Sequence, residues 1–448
     1  MTTFKLKRGL DIPISGAAEN TTVAAKRPDL IHVVPDHFAG ITPKIVVHEG
    51  DRVLAGQPLF HDKAHADMNI TSPVSGTVVA IKRGERRKVM SVDVKPDSVT
   101  EYAHFDTAVT TAKEVRTLLL NSGLWTLIKQ RPYDVVANPE ATPKAIFIST
   151  FDTAPLAPDF EYTLRERKAD LQAGIKALGL LAPVSLGVRK NAGELFLSLN
   201  GCEINTFDGP HPAGNVGVQI NHVNPVNKGE TVFTLGIQDL ATIGRLMNEG
   251  IVVMKKTIAL TGPMAVQPKY YTYTYGTPVS RMLGGQLEPG VTLRIVCGNI
   301  LSGYHMEADE PLCPYCNQVT IIADGSDVDE MMGWMAPRFN KFSMNRTFLA
   351  GMLPCLNNKI DFNYDARILG SRRAIIMSGE YDKVFPMDIY PEYLIKAMIA
   401  GNIDRMEALG AYEVAPEDFA LCEFVCTSKM PLQAIVRQAL DNMRKELE

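Results

Sequence analysis

The chain is short of the residues that hold redox centres. It has seven cysteines in 448 residues, and only two pairs are closely spaced, Cys313-Pro-Tyr-Cys316 and Cys422-Glu-Phe-Val-Cys426. Neither pair completes a cluster site, because an iron–sulfur cluster takes four thiolates, commonly spaced two residues apart. An odd, scattered set of cysteines also speaks against a disulfide scaffold and for a reducing compartment, with the cytoplasm as the default. No run approaches the ~18 consecutive apolar residues of a membrane span. The first residues, MTTFKLKRGLDIPISG, are basic but have no apolar core of signal-peptide length. No complete GxGxxG or Walker-type loop is present. Positive charge is not in excess either: 46 Lys and Arg face 50 Asp and Glu, a net charge of −4. That balance argues against a nucleic-acid partner, which selects for a basic face.

What is present reads as several modules, since this length corresponds to three or four domains of ~100–200 residues. From Ile45 to Val94 short β-rich runs alternate with glycine and proline turns, as in HEGDRVLAGQPLF and ITSPVSGTVVAI. This pattern is similar to a biotinyl/lipoyl-type barrel sandwich. Lys63 lies near the expected hairpin tip, two residues too far from the Ser-Pro-Val-Ser-Gly turn for a swinging-arm lysine, so we expect an unmodified packing module. From Ala112 to Gly262 buried-strand runs such as AIFISTF alternate with helical periodicity at Leu164, Leu171, Ile175 and Leu178. These are α/β units, and a Rossmann-like sheet is the expectation. Short strands return from about Lys269 to Gly325 and fit a β-grasp module. Helical patterns fill the remainder, notably PEYLIKAMIAGNIDRMEALG and PLQAIVRQALDNMRKELE.

The run LCEFVCTSKMPL, Leu421 to Leu432, reads like a ferredoxin segment stripped of its ligands. Together with KLKRGLDIPISGA, SPVSGTVVAI, SGLWTLIKQRPYDVVANPEATPKAIFISTFDTAPLAPD, FDGPHPAGNVGVQINHVNPV and NKFSMNRTFLAG, it closely resembles the A-subunit family of the Na⁺-translocating NADH:quinone oxidoreductases. The resemblance covers essentially the whole chain. It extends more distantly to the C-subunit of the Rnf complex and to the flavin-carrying subunit of respiratory complex I.

The resemblance implies an α/β multidomain protein in four parts. These are an N-terminal segment with a barrel sandwich (1–105), a Rossmann-like domain (106–262), a β-grasp domain of the soluble-ligand-binding (SLBB) type (263–326) and a helical C-terminal domain (327–448). It also implies a peripheral position on the cytoplasmic face of a bacterial inner membrane, within a machine of six subunits. That machine uses NADH, flavins, an iron–sulfur centre and ubiquinone, and it exports Na⁺. In the complex I relative a glycine-rich loop brings backbone N–H groups to the phosphate of FMN. The corresponding place here, Asn121 to Pro132, has Gly123 as its only glycine, and Leu124, Trp125 and Leu127 would block a phosphate. We therefore expect no flavin, cluster or metal on this chain and no catalytic residue of its own. Its role is then assembly, with a part in quinone binding as the finer expectation. A pure scaffold without quinone contact and an autonomous flavin or thiol oxidoreductase are the alternatives.

Three groups of residues are candidates for contacts. A quinone headgroup needs donors for its carbonyls and apolar walls, which His211, Phe207 and Trp125 can supply. The other reading of the loop Phe207–Asn215 is purely structural, with His211 satisfied inside it. Lys341, Phe342, Arg346 and Phe348, in a locally basic stretch that also holds Arg338, Arg372 and Arg373, suit docking against membrane-embedded partners. The alternative there is an ordinary solvated helix face. Cys313 and Cys316 carry the glutaredoxin-like dipeptide, yet they precede a strand instead of opening a helix, so a loop thiol pair is the expectation.

Overall fold

A computed structural model describes residues 2–447 apart from 289, 327, 329–341 and 343–361. No helix among the described residues is long and apolar enough to cross a membrane.

The middle of the chain forms a seven-stranded sheet. Its spatial order is Thr2–Lys5, Glu203–Asp208, Val184–Arg189, Ile146–Ser149, Val232–Thr234, Lys129–Arg131 and Val135–Val136. The first five strands run parallel, and the last two close the edge antiparallel. Successive side chains of a strand point to opposite faces, so Ile146 and Ile148 enter one apolar core and Phe147 enters another. A continuous apolar run such as AIFIS follows from burial on both faces. The helix Ala112–Asn121 starts on a capping box, in which Thr111 accepts from the Glu114 amide and Glu114 reaches back. The helix Ile237–Glu249 ends where Gly250 turns left-handed, at φ 68°, a conformation without penalty only for glycine. That helix packs on Lys168–Leu178 through two glycines. A Cβ on Gly244 would stand 1.6 Å from the Asp170 carbonyl oxygen, and one on Gly174 would stand 2.6 Å from that of Leu240.

The barrel sandwich is built from a four-stranded sheet, Ile31–Val33, Val89–Pro96, Gly76–Arg83 and Arg52–Val53, facing a three-stranded one, Pro43–Ile45, Pro58–Asp62 and Asn69–Thr71. Lys63 is exposed in the turn between the last two strands, with its amide donated to the Thr42 carbonyl at 2.8 Å. A six-stranded sheet follows, ordered Tyr304–Met306, Leu293–Cys297, Gln318–Ala323, Lys255–Thr261, Lys269–Thr274 and Glu19–Ala24. The N-terminal segment thus joins three sheets in succession: residues 2–5 extend the parallel sheet, 19–24 the six-stranded sheet, and 31–33 the barrel sandwich. Of the C-terminal part, the described residues from Glu380 onward form five helices, 380–384, 391–399, 403–408, 420–425 and 432–447. They share the second core with the face of the parallel sheet that carries Phe147 and Val232.

Candidate functional site

The segment Asn121–Pro132 turns sharply at Gly123, φ 79°, into a short 3-10 helix, Leu124–Leu127, whose residues are all buried. Three amides of the turn are spent locally: Gly123 donates to Leu120, Thr126 to Gly123 and Ile128 to Trp125. A Cβ on Gly123 would meet the Thr71 hydroxyl at 2.8 Å, and that hydroxyl donates to the Ser122 carbonyl at 3.2 Å. The turn is therefore a joint between the barrel sandwich and the parallel sheet. Trp125 fills its centre, with Nε1 donated to the Ala137 carbonyl at 2.7 Å and its ring edge-on to Phe233 at 5.8 Å.

Phe207 lies in a different core from Trp125, and His211 is buried in the loop after Phe207. Phe207 is stacked on Phe4 with ring centroids 5.1 Å apart, and the N-terminal segment continues along the loop that follows. The Leu6 amide donates to Asp208, the Leu10 amide to the His211 carbonyl, and the His211 amide to Asp11 at 2.9 Å. His211 Nδ1 stands 3.1 Å from the Thr153 hydroxyl, which itself accepts from the Gly214 amide at 2.9 Å. Burial lowers the imidazole pKa to about 4, so the ring is neutral near pH 7. The structure brings His211 and Phe207 into one seam, leaves Trp125 outside it, and fills the surroundings of all three with the chain's own side chains.

The sequence pattern did not place the contact that ties the C-terminal helices to the sheet. Arg131, on the antiparallel edge, reaches Asp418 at 2.6 Å, and both side chains are almost fully buried. Burial opposes the charge on Arg131, and Asp418 and Asp134 more than restore it. The same guanidinium donates to the Glu413 carbonyl at 2.6 Å, and Asp418 accepts from the Ala415 amide at 2.8 Å. Gly217 leaves the space for the carboxylate, since a Cβ there would be 2.4 Å from Asp418 Oδ1. No spacing rule links positions 287 residues apart. Arginine followed by proline at a strand end was the only local sign.

Cys422 and Cys426 are buried against these helices. Burial holds the Cys422 thiol well above its ordinary range, and the Cys426 sulfur accepts the Tyr381 hydroxyl at 2.9 Å. The pair is a packing element. Cys313 and Cys316 close a tight turn, with the Cys316 amide donated to the Cys313 carbonyl at 2.9 Å. The fold sets beside them Cys297, 16 residues before Cys313 and without any motif spacing. No group of three or more His, Cys, Asp or Glu among the described residues has the geometry to hold a metal ion.

Three family models match in sequence order: the NqrA N-terminal barrel-sandwich hybrid domain over residues 4–97, the NqrA second alpha/beta domain over 110–252, and the NQRA C-terminal domain, of SLBB type, over 257–308. The A-subunit of the Na⁺-translocating NADH-quinone reductase of Neisseria meningitidis serogroup B is 36% identical across 99% of this chain and 100% of its own length. The protein of that name from Rhodopirellula baltica is 35% identical over 99% and 98%, and that from Haemophilus influenzae 34% identical over 98% and 99%. The chain belongs to the NqrA family. The barrel-sandwich and α/β expectations hold at the level of those domain models, and the SLBB-type match places a β module after residue 257.

Of the four residues expected to dock this NqrA-family chain, Lys341, Arg346 and Phe348 lie outside the described residues, as does Arg338. Phe342 is described, and its ring lies 6.1 Å from Phe362 and 6.5 Å from Phe424. The neighbouring Arg372 and Arg373 are exposed within residues 366–379, a stretch without any Asp or Glu. Ile368, Leu369, Ile376 and Met377 in the same stretch are 59%, 40%, 62% and 46% exposed. The Arg373 amide and the Ala374 carbonyl are anchored on Ser428, at 2.8 and 3.0 Å.

Proposed function

We propose that this chain is the peripheral, cytoplasm-facing NqrA component of a Na⁺-translocating NADH:ubiquinone oxidoreductase, and that its work is assembly. The reading rests on one observation, the end-to-end match to NqrA relatives. Flavins, the iron–sulfur centre and ion conduction then belong to partner chains in an assembly of six subunits. Reduction of ubiquinone coupled to Na⁺ export is the activity that this chain supports. The parallel strands that begin at Ile146, Val184, Glu203 and Val232 stand in the spatial order 3-2-1-4, which supports the Rossmann-like reading. The locally bonded amides of Gly123, Thr126 and Ile128 and the buried Leu124, Trp125 and Leu127 support a fold that has given up its phosphate cradle. Quinone contact at Trp125, Phe207 and His211 finds less support, because Trp125 and Phe207 lie in two cores and pack there on Phe233 and Phe4 respectively. We place docking on residues 366–379, where exposed arginines and apolar side chains suit the anionic, amphiphilic surface of a membrane and the proteins in it.

The test is purification of the tagged full chain from detergent-solubilised membranes. Membrane-embedded partners and Na⁺-dependent quinone reduction by NADH should come with it, and the isolated chain should be colourless. A chain that stays monomeric in the soluble fraction, or that carries one equivalent of flavin, overturns the proposal.

A further inference from the structure

A cleft of about 300 Å³ opens where the barrel sandwich meets the six-stranded sheet, a volume at the small end of small-molecule sites. Its walls include three crossings between modules. Residues 24–31 run from the six-stranded sheet to the barrel sandwich, and 96–102 leave the barrel sandwich for the α/β part. Residues 253–255 lead from the α/β part to the six-stranded sheet. Lys26, Arg27 and Lys255 line the cleft and are exposed, and among the described residues no Asp or Glu lines it. The acids on the same segments are engaged elsewhere: Asp29 pairs with Arg281, and Asp97 and Glu101 pair with Arg52 at 3.3 and 2.9 Å. A cleft lined by one sign of charge focuses its field and concentrates counter-ions. Arg27 is fixed between two of the crossings, since its guanidinium donates to the Ser98 carbonyl at 2.8 Å. That bond leaves four of its five N–H donors for a ligand. The backbone beneath is pinned as well, with the Ala25 amide donated to the Thr272 carbonyl at 3.1 Å and the Lys26 amide to that of Arg281 at 3.2 Å. Met254 and Tyr102 add apolar wall.

We propose that this cleft binds a small phosphate monoester, with its phosphate held by Lys26, Arg27 and Lys255 and its organic part against Met254 and Tyr102. A guanidinium matches phosphate oxygens with parallel N–H bonds, and ammonium groups add point charge. A monoester carries close to two negative charges near neutral pH. Three cations without a carboxylate suit that dianion better than the single charge of a phosphodiester, so a membrane lipid headgroup is the poorer occupant. A bound ester touches all three crossings at once and ties the barrel sandwich, the α/β part and the six-stranded sheet together. The site stands apart from the assembly reading, which needs no ligand.

The experiment titrates the full chain with AMP, inorganic phosphate and adenosine at low salt, by calorimetry and by amide exchange. AMP and phosphate should compete for one site, adenosine should not bind, and AMP should slow exchange in residues 24–31, 96–102 and 253–255. Arg27→Ala and Lys255→Ala should each weaken AMP by at least about tenfold, the loss expected for one hydrogen bond to a charged group. Lys113→Ala, at an exposed lysine outside the cleft, should leave the affinity unchanged. Exchange in the three crossings that neither AMP nor phosphate alters overturns the proposal. So does adenosine binding as well as AMP, equal weakening by the Lys113 variant, or a soluble short-chain phosphatidylglycerol that binds more tightly than AMP. Lys255 is exposed, so its variant and the wild-type exchange map decide the matter should the Arg27 variant fail to fold.

Discussion

Replacing Arg131 with methionine is the sharpest perturbation of the architecture. The substitution roughly keeps the volume and removes the charge that pairs with Asp418, whose side chain is fully buried. Asp418 would keep the Ala415 amide, but its other oxygen has no partner even in the wild type among the described residues, and the Glu413 carbonyl would lose its donor. Breaking a buried pair from one side costs about 3–5 kcal/mol, because a desolvated charge is left behind. Unfolding of a multidomain chain is not a single equilibrium, so the cost is best read locally. Amide exchange in the helices 420–425 and 432–447 reports the opening of the C-terminal part from the sheet. At about 1.4 kcal/mol per decade, their protection should fall by roughly two to four decades while that of Gly76–Arg83 is unchanged. The double variant Arg131→Met/Asp418→Leu removes both charges and should recover most of the loss, since apolar replacement of a buried pair is commonly neutral or stabilising. Protection within about threefold of wild type in the single variant would refute the reasoning. A double variant as labile as the single would refute it equally.

Four further expectations follow from the same geometry. Asp93 lies buried between His32 and Lys82 at 2.7 and 2.9 Å; burial pushes its pKa up, but His32, Ser91 and Lys82 bring it down to about 2. Its contribution is therefore present above the ordinary carboxylate pKa and lost as pH falls through about 2. Asp93→Asn should cost about 2 kcal/mol near neutrality, a gap that closes on acidification, and a gap independent of pH would contradict this. His211 is held neutral when folded, with a pKa of about 4 against 6.5 for a free imidazole. The unfolded chain then binds more protons in that window, so stability falls as pH drops from about 6.5 to about 4, and His211→Asn should remove up to about 3 kcal/mol of that slope. An unchanged acid limb in urea titrations would count against it. Gly244→Ala should destabilise by about 1–3 kcal/mol despite alanine's better helix propensity, because the Cβ falls on the Asp170 carbonyl. A raised melting temperature would disprove the close packing. Exchanging Arg372 and Arg373 for glutamate should weaken sedimentation of the full chain with phosphatidylglycerol vesicles by at least about tenfold, at ~1 kcal/mol per basic residue, and leave phosphatidylcholine unaffected. Equal binding by variant and wild type would remove docking from residues 366–379.

What could be read in the sequence was local or repetitive. AIFISTF announces a strand buried on both sides, and HEGDRVLAGQPLF with its turns announces a small β module, because apolar period and turn chemistry act over a few residues. Gly123 followed by Leu124 and Trp125 could be read as a tight apolar turn for the same reason. The contacts that define the site are long-range. Phe4 finds Phe207 only because residues 2–5 extend a sheet whose neighbouring strand begins at Glu203, and His211 is then sealed by Asp11 and Thr153. Trp125 has the same aromatic character but belongs to the other face of that sheet, so a grouping by chemistry joined residues that the topology separates. Arg131 and Asp418 show the same limit: a buried charge is tolerated only with its partner, and the partner comes from an element that no periodicity places. Cys297 is the most instructive case. CPYC draws the eye through its spacing, yet Cys297, to which no spacing points, joins the buried cluster of Cys316 through the ladder between residues 293–297 and 318–323. The ladder register puts Val319, and so the approach to Cys316, opposite Cys297. A one-residue slip would send the Cys297 side chain to the other face of the sheet, out of the cluster that it shares with Cys316.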